Sequence, residues 1–376
     1  MNLHDQIAAL PKTMLDRLAA RGFDPAELEA WAKTIGVDRD KRNRLPGAAE
    51  APYAGDVMPS AEPGTTAHAE LSARGMAALR SGEVALCVLA GGMATRMGGV
   101  VKSLVEALPG RTFLDLRLGE NAHISAVGGQ RVPLWMMTSE ATDGPIREAL
   151  GSKLDADYLT TFEQDVSLRL TPEGSLFLED GEPSVYSTGH GDLPDALGRS
   201  GLLSRFLARG GKTVWIANID NLGATIDPAV LGMHLSHGAP VTVEVVDKVG
   251  TDRGGVPVRW NGRPIITEEF RLPLGFDPAT IRVFNTNTFL VRAEALASLA
   301  MQWTYVEVEK KIGEARAVQF ERILGEITAT LEPRFIRVPR DGAASRFLPV
   351  KDMPELEKRQ PEIALIAKER GMLGSG

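Results

Sequence analysis

An α/β fold with a mostly parallel sheet and helices on both faces is what this sequence predicts, and three observations carry that prediction. Continuous apolar runs recur along the chain, Val84–Ala90 first among them, as expected of strands buried on both faces. Segments of helical periodicity separate several of these runs. Clusters of glycine and polar residues follow the runs, and open α/β sheets bind ligands beyond the carboxyl ends of their strands.

Taken in order, residues 3 to 35 read as helix, with Leu3, Ile7, Leu10, Met14, Leu15 and Leu18 at helical spacing and a restart at Asp24-Pro25. Pro46, Pro52, Pro59 and Pro63 dissolve the pattern from Arg42 to Thr66, which reads as a linker or an extended arm wrapped over a core. A short helix is expected from Ala67 to Arg80. Strands are then expected at Val84–Ala90, Val132–Met137, Thr213–Ala217, Val241–Val246 and Val283–Val291, with helices over 142–152, 194–209 and 227–237. Gly255 to Arg271 breaks the rhythm. Val256, Val258 and Trp260 lead into Asn261-Gly262, a strong hairpin signal, so an antiparallel ribbon is inserted there. The tail from Met353 to Met372 reads as a helix.

Composition narrows the function classes. At about 150 residues per domain, 376 residues suggest two or three units. With 43% hydrophobic and 24% charged residues the chain can bury a sizeable core without metal or disulfide help. Forty-two Lys and Arg against 49 Asp and Glu leave a formal charge of −7, well mixed, so neither nucleic acid nor an anionic membrane is an expected partner. A single cysteine, Cys87, excludes an internal disulfide framework and a Cys-based zinc cage. No signal peptide and no apolar run near 18 residues is evident, so a cytoplasmic protein is expected.

Chemistry gathers after the strands. The first strand runs into Leu89-Ala-Gly-Gly-Met-Ala-Thr-Arg-Met-Gly-Gly99, with Lys102 three residues on. Glycines there let the backbone approach a phosphate or base, although a flexible turn with a solvated lysine has the same look. The spacing is neither a dinucleotide fingerprint nor a P-loop. His190 sits between Gly189 and Gly191 at a loop–helix junction, a place that suits an anion or a sugar. Asp220 follows the strand Thr213–Ala217, where a hard oxygen ligand can hold Mg2+ over a nucleotide phosphate; its bland alternative is a turn or cap. Asp227, before Pro228, reads as a helix N-cap. Gly255, Glu268, Asn285 and Asn287 offer paired donors and acceptors for sugar hydroxyls, or ordinary cross-strand bonding. Lys351, in Arg346-Phe-Leu-Pro-Val-Lys351, is placed at the end of a short strand and, read alone, is a solvated charge.

Together these pieces resemble the UTP–glucose-1-phosphate uridylyltransferase family from about Val84 to Lys351. The carriers are the glycine loop with Lys102-Ser103, Gly189-His-Gly-Asp192, Asn218-Ile-Asp-Asn-Leu-Gly223, Asp247-Lys248 with Gly254-Gly255, Phe284-Asn-Thr-Asn-Thr288, and Arg346 to Lys351. The resemblance implies a Rossmann-like nucleotide-diphospho-sugar transferase core. It would join UTP to glucose 1-phosphate with Mg2+ as cofactor, releasing pyrophosphate. By the same resemblance Ala90, Gly91 and Gly92 would lie along the uridine. Gln164 would read the uracil edge together with the Gly189 backbone, and His190 and Asp220 would approach the phosphates, Asp220 through the metal. Asn218, Gly255, Glu268, Asn285 and Asn287 would face the sugar. Lys102, Lys351 and Arg96 would serve the reacting phosphates. The implied division is a helical segment and linker over 1–80, a catalytic domain with its ribbon over 81–330, and a short segment over 331–376 in place of the β-helix domain of eukaryotic relatives. The chain departs from the family at Ala94, Val101, Ser187-Thr188 and Arg271. Rival readings are a uridylyltransferase for galactose 1-phosphate or N-acetylglucosamine 1-phosphate, and a non-catalytic UDP-sugar-binding module.

Overall fold

The computed structural model describes residues 2–94, 97–250 and 252–374. Twelve of its strands matter here: β1 (Val57–Pro59), β2 (Val84–Leu89), β3 (Leu134–Thr138), β4 (Leu159–Glu163), β5 (Thr213–Asn218), β6 (Val241–Asp247), β7 (Gly255–Trp260), β8 (Arg263–Glu268), β9 (Val283–Arg292), β10 (Val306–Ile312), β11 (Ala315–Glu321) and β12 (Pro333–Arg337). Eight form the main sheet in the order β1-β12-β6-β9-β5-β2-β3-β4. All neighbours in it are parallel except β9, which runs antiparallel to both β6 and β5. The expected mostly parallel α/β architecture is therefore the observed one.

Alternation along the strands splits the core between the two faces. Leu86 and Val88 of β2 join Trp215, Leu290 and Ile336 on one side. Ala85, Cys87 and Leu89 join Trp135, Phe206 and Phe289 on the other. Each fully buried large apolar side chain contributes about 1.5–3 kcal/mol. On the first face, helices Thr66–Arg80 and Pro228–His237 touch through reciprocal glycines. A Cβ at Gly75 would lie 2.0 Å from the Pro228 carbonyl oxygen, and one at Gly232 would lie 2.0 Å from that of Leu71. No side chain fits at that crossing.

Asn261 and Gly262 both take positive φ, 49° and 76°, which is the twist a two-residue hairpin requires, and β7 pairs with β8 around them. The proline-rich arm is more ordered than a linker: β1 extends the main sheet along β12, and Ala49–Glu50 pairs with β7. The helix expected over 194–209 is two helices, Leu193–Arg199 and Leu202–Ala208, because Gly201 takes a left-handed conformation between them. Helices Leu3–Ala8, Lys12–Ala19 and Pro25–Ala32 bury Ile7, Leu18 and Leu28 in a separate cluster with Val166, Leu168, Val318 and Phe320.

Candidate active site

The loop after β2 starts as a continuation of the sheet, with the Ala90 N–H donating to the Met137 carbonyl at 2.8 Å. Gly91 then lies against the carboxamide of Gln164, so closely that a Cβ would come 2.7 Å from its Oε1. Around Gly92 there is open space, and its carbonyl accepts from the Lys102 N–H at 3.3 Å. Gln164 follows β4 directly and is 8% exposed, its own N–H donating to Thr138. Gly189 has φ +114°, and a Cβ there would lie 2.5 Å from the Arg322 carbonyl oxygen. Only glycine serves. His190 opens a 3-10 turn that leads into helix Leu193–Arg199, and its Nδ1 accepts from the Leu324 N–H at 2.9 Å. Burial holds its pKa below the usual imidazole value. The ring is thus neutral, with the proton on Nε2 assigned by that hydrogen bond.

Beyond β5, Asp220 pairs with Lys102: Nζ and Oδ2 are 2.6 Å apart, with side chains 19% and 13% exposed. The loop carrying Asp220 is held from behind by Arg117, which is fully buried within helix Phe113–Gly128. Its Nη2 donates to the Asn218 carbonyl at 2.8 Å and to that of Asn221 at 2.5 Å. Glu120 balances the guanidinium at 2.6 Å and accepts from the Ile226 N–H at 3.0 Å. Asn221 ties this loop to the C-terminal segment, accepting from the Leu348 N–H and donating to the Arg346 carbonyl. Asp227 is the N-cap expected, accepting from Ala229 and Val230.

The third group surrounds β9. Pairing of β6 with β9 jumps from Glu244–Thr288 to Val245–Asn285, so Thr286 and Asn287 form a bulge. Asn287 there takes φ +58°, and its Nδ2 donates to Asn218 Oδ1 at 2.9 Å. The Asn287 N–H donates to Asn285 Oδ1 at 2.9 Å. Gly255 faces both Asn285 and Glu268: its Cβ would lie 2.8 Å from Asn285 Nδ2 and 3.3 Å from Glu268 Oε1. Burial first, and the neighbouring Glu269 charge second, push the Glu268 pKa up to about 7 against the opposing pull of Arg271.

Sequence reasoning thus named residues that the fold collects into three adjoining groups. Lys351 stands apart from them. The segment before it is irregular rather than a strand, because its backbone is engaged by Pro339 and the Asn221 side chain instead of a ladder partner. Its ammonium is exposed and makes no ion pair with the described residues. It lines a cleft with Arg340, Phe347 and Glu355 that none of the other described candidates borders. Arg96 lies outside the described residues. Arg117, Glu120 and Arg322 were missed; an Arg and a Glu three apart inside an apolar helical stretch is the signal that could have found the first two.

Among known proteins, a family model described as UTP–glucose-1-phosphate uridylyltransferase matches residues 58–366. A barley (Hordeum vulgare) UTP–glucose-1-phosphate uridylyltransferase is 31% identical over 286 residues, which cover 71% of this chain and 59% of the barley protein. The chain therefore spans less than two thirds of such a relative. A Trypanosoma brucei structure titled UDP-glucose phosphorylase superposes with a TM-score of 0.74 at 23% identity, covering 92% of this chain and 77% of that one. The uridine diphosphate N-acetylglucosamine pyrophosphorylase of the same organism, solved with an inhibitor, gives 0.76 at 19% identity over 94% and 79%. At those identities the likeness is one of fold.

Proposed function

Because the chain belongs to the UTP–glucose-1-phosphate uridylyltransferase family, we propose that it forms UDP-glucose and pyrophosphate from UTP and glucose 1-phosphate. The observation that supports this best is the continuity of the three groups. The Gly91 backbone lying against the Gln164 carboxamide, a lysine–aspartate pair, and a sheaf of amides with Glu268 adjoin along the rim of one sheet.

In this reading a phosphate oxygen of the sugar phosphate attacks the α-phosphorus of UTP in line with the departing pyrophosphate. Both reactants are anions, so positioning and charge neutralisation supply the catalysis, and no protein nucleophile is required. Gln164 and the Gly189 backbone would orient the uracil. His190, neutral and with Nε2–H free to donate, would reach a phosphate oxygen. Asn218, Asn285, Asn287, Gly255 and Glu268 would fix the sugar hydroxyls.

No group of three or more His, Cys, Asp or Glu suited to a metal occurs among the described residues. That donor set still fits Mg2+, which keeps waters and is commonly held by one or two carboxylates plus substrate phosphates. Asp220 would hold it, and the ion would neutralise the phosphates. Lys102 must then leave Asp220 for a phosphate oxygen, and Lys351 and Arg96 would add positive charge from their own segments. No helix among the described residues is long and apolar enough to cross a membrane. A cytoplasmic setting completes the proposal and suits a free thiol at Cys87.

The test is pyrophosphate release from UTP, Mg2+ and a panel of sugar 1-phosphates. Glucose 1-phosphate is expected to give the highest kcat/KM. Preference for the galactose or N-acetylglucosamine ester would move the chain to another sugar, and UDP-glucose binding without pyrophosphate release would make it a binding module.

A further inference from the structure

The two residues proposed to read the base are joined by one buried ion cluster. Asp165 follows Gln164 and is 3% exposed. Its carboxylate pairs with Arg199 and, at 2.6 Å, with Arg322 Nη2. Arg322 also meets Asp195 through Nη1 at 2.6 Å and lies 2.9 Å from Asp192 through Nε. The backbone repeats the connection. The Asp165 carbonyl accepts from the Thr188 N–H at 3.1 Å, Thr188 from Arg322 at 2.7 Å, and Arg322 from Gly191 at 3.1 Å. Gln164 and Gly189 are therefore held in register by the same arginine.

The N-terminal helices close this cluster from outside. The Arg21 carbonyl accepts from the Val166 N–H at 3.1 Å. Gly22, at φ +81°, lies against Asp165 so tightly that a Cβ would fall 2.7 Å from its Oδ2. Trp31 packs on Tyr305 with ring centroids 3.8 Å apart, the Tyr305 hydroxyl donates to Glu27 at 3.1 Å, and the Arg322 guanidinium lies 5.4 Å from the Tyr305 ring centroid. A guanidinium shared by three aspartates has few alternative positions, since any shift strands a buried carboxylate.

We propose that Arg322 and Asp165, wedged by Gly22 of the N-terminal segment, are positioning residues for base recognition, so that this segment sets how strictly UTP is preferred over other nucleoside triphosphates. The inference rests on the reading of Gln164 and Gly189 as the uracil contacts. Cytosine reverses the donor and acceptor on the edge they would read, so CTP is the sensitive competitor.

The experiment compares Gly22→Ala, Arg199→Gln and Arg322→Lys with Gln164→Ala in the full chain. It measures KM for each substrate, the UTP-over-CTP ratio of kcat/KM, and the thermal midpoint. Expected in the cluster variants is a rise of about tenfold in UTP KM with a matching fall in the UTP-over-CTP ratio, and a glucose 1-phosphate KM within about twofold of the parent. Gly22→Ala and Arg199→Gln keep the test alive should Arg322→Lys not fold. Loss of preference in Gln164→Ala alone, with the cluster variants lowering only the thermal midpoint, overturns the proposal and leaves the base-reading assignment standing. Unchanged preference in Gln164→Ala overturns that assignment and the proposal with it.

Discussion

At the scale of single residues, the candidate site holds groups whose charge the fold has altered or balanced. Glu268 is one. Its folded pKa near 7 stands above the unfolded carboxylate value, so the folded state binds that proton more tightly. The stability it contributes is fully present below the unfolded pKa and is lost as pH rises through 7. Glu268→Gln should therefore flatten the fall of the thermal midpoint between about pH 5 and pH 8; an identical slope in both proteins would place the titration elsewhere. Lys102 is balanced by Asp220 in the free protein. Removing a fixed cation from a phosphoryl-transfer site costs roughly 10²–10³ in rate by analogy with one oxyanion donor. We expect Lys102→Ala to lose kcat on that scale and Lys351→Ala, whose lysine borders a separate cleft, to lose less; near-normal turnover in either would take that lysine out of the phosphate machinery. Asp220 and Lys102 were singled out from motif wording. Their mutual contact was not, because spacing along a chain carries no information about a partner more than a hundred residues away.

Secondary elements were legible where one local rule dominated. Asn261-Gly262 fixed the ribbon because few residues other than Asn and Gly accept two successive positive φ values. The helix Phe113–Gly128 was invisible to periodicity: Arg117 and Glu120 are buried beside Leu116, while its exposed face carries Ala122, Ala126 and Val127 with His123, so no polar face breaks the pattern. The β10–β11 hairpin was missed for the opposite reason. Lys310-Lys311 puts charge on both faces of the ribbon's exposed end, and its buried stretch, Ala317 to Phe320, is short and interrupted by Gln319. The helix pair that meets at Gly75 and Gly232 gives a prediction at this scale. Alanine normally favours a helix interior over glycine by about 1 kcal/mol, but here its methyl would collide with a backbone carbonyl that cannot rotate away. Gly232→Ala should lose about 2 kcal/mol in urea unfolding; a gain would mean that the crossing opens easily.

Across the whole molecule, long-range ties outnumber the local rules that a sequence displays. Arg346 and Glu244, both buried, bond in a bidentate pair at 2.8 and 2.6 Å and anchor the C-terminal segment under the sheet. Cys87 lies in the centre of that sheet, wholly buried, and burial pushes its thiol far above the ordinary range. It should resist a thiol reagent in the native protein and react at a rate that tracks global unfolding as denaturant is added; a denaturant-independent reaction would reveal a local opening through β2. The edge of the sheet has a different consequence. Val57 pairs alongside Phe335, so the first strand of this sheet to leave the ribosome must wait for the last before it has a partner. During synthesis that short stretch is an unmated ribbon end, and its Pro59, which cannot donate to a neighbour, discourages the wrong suitor while it waits.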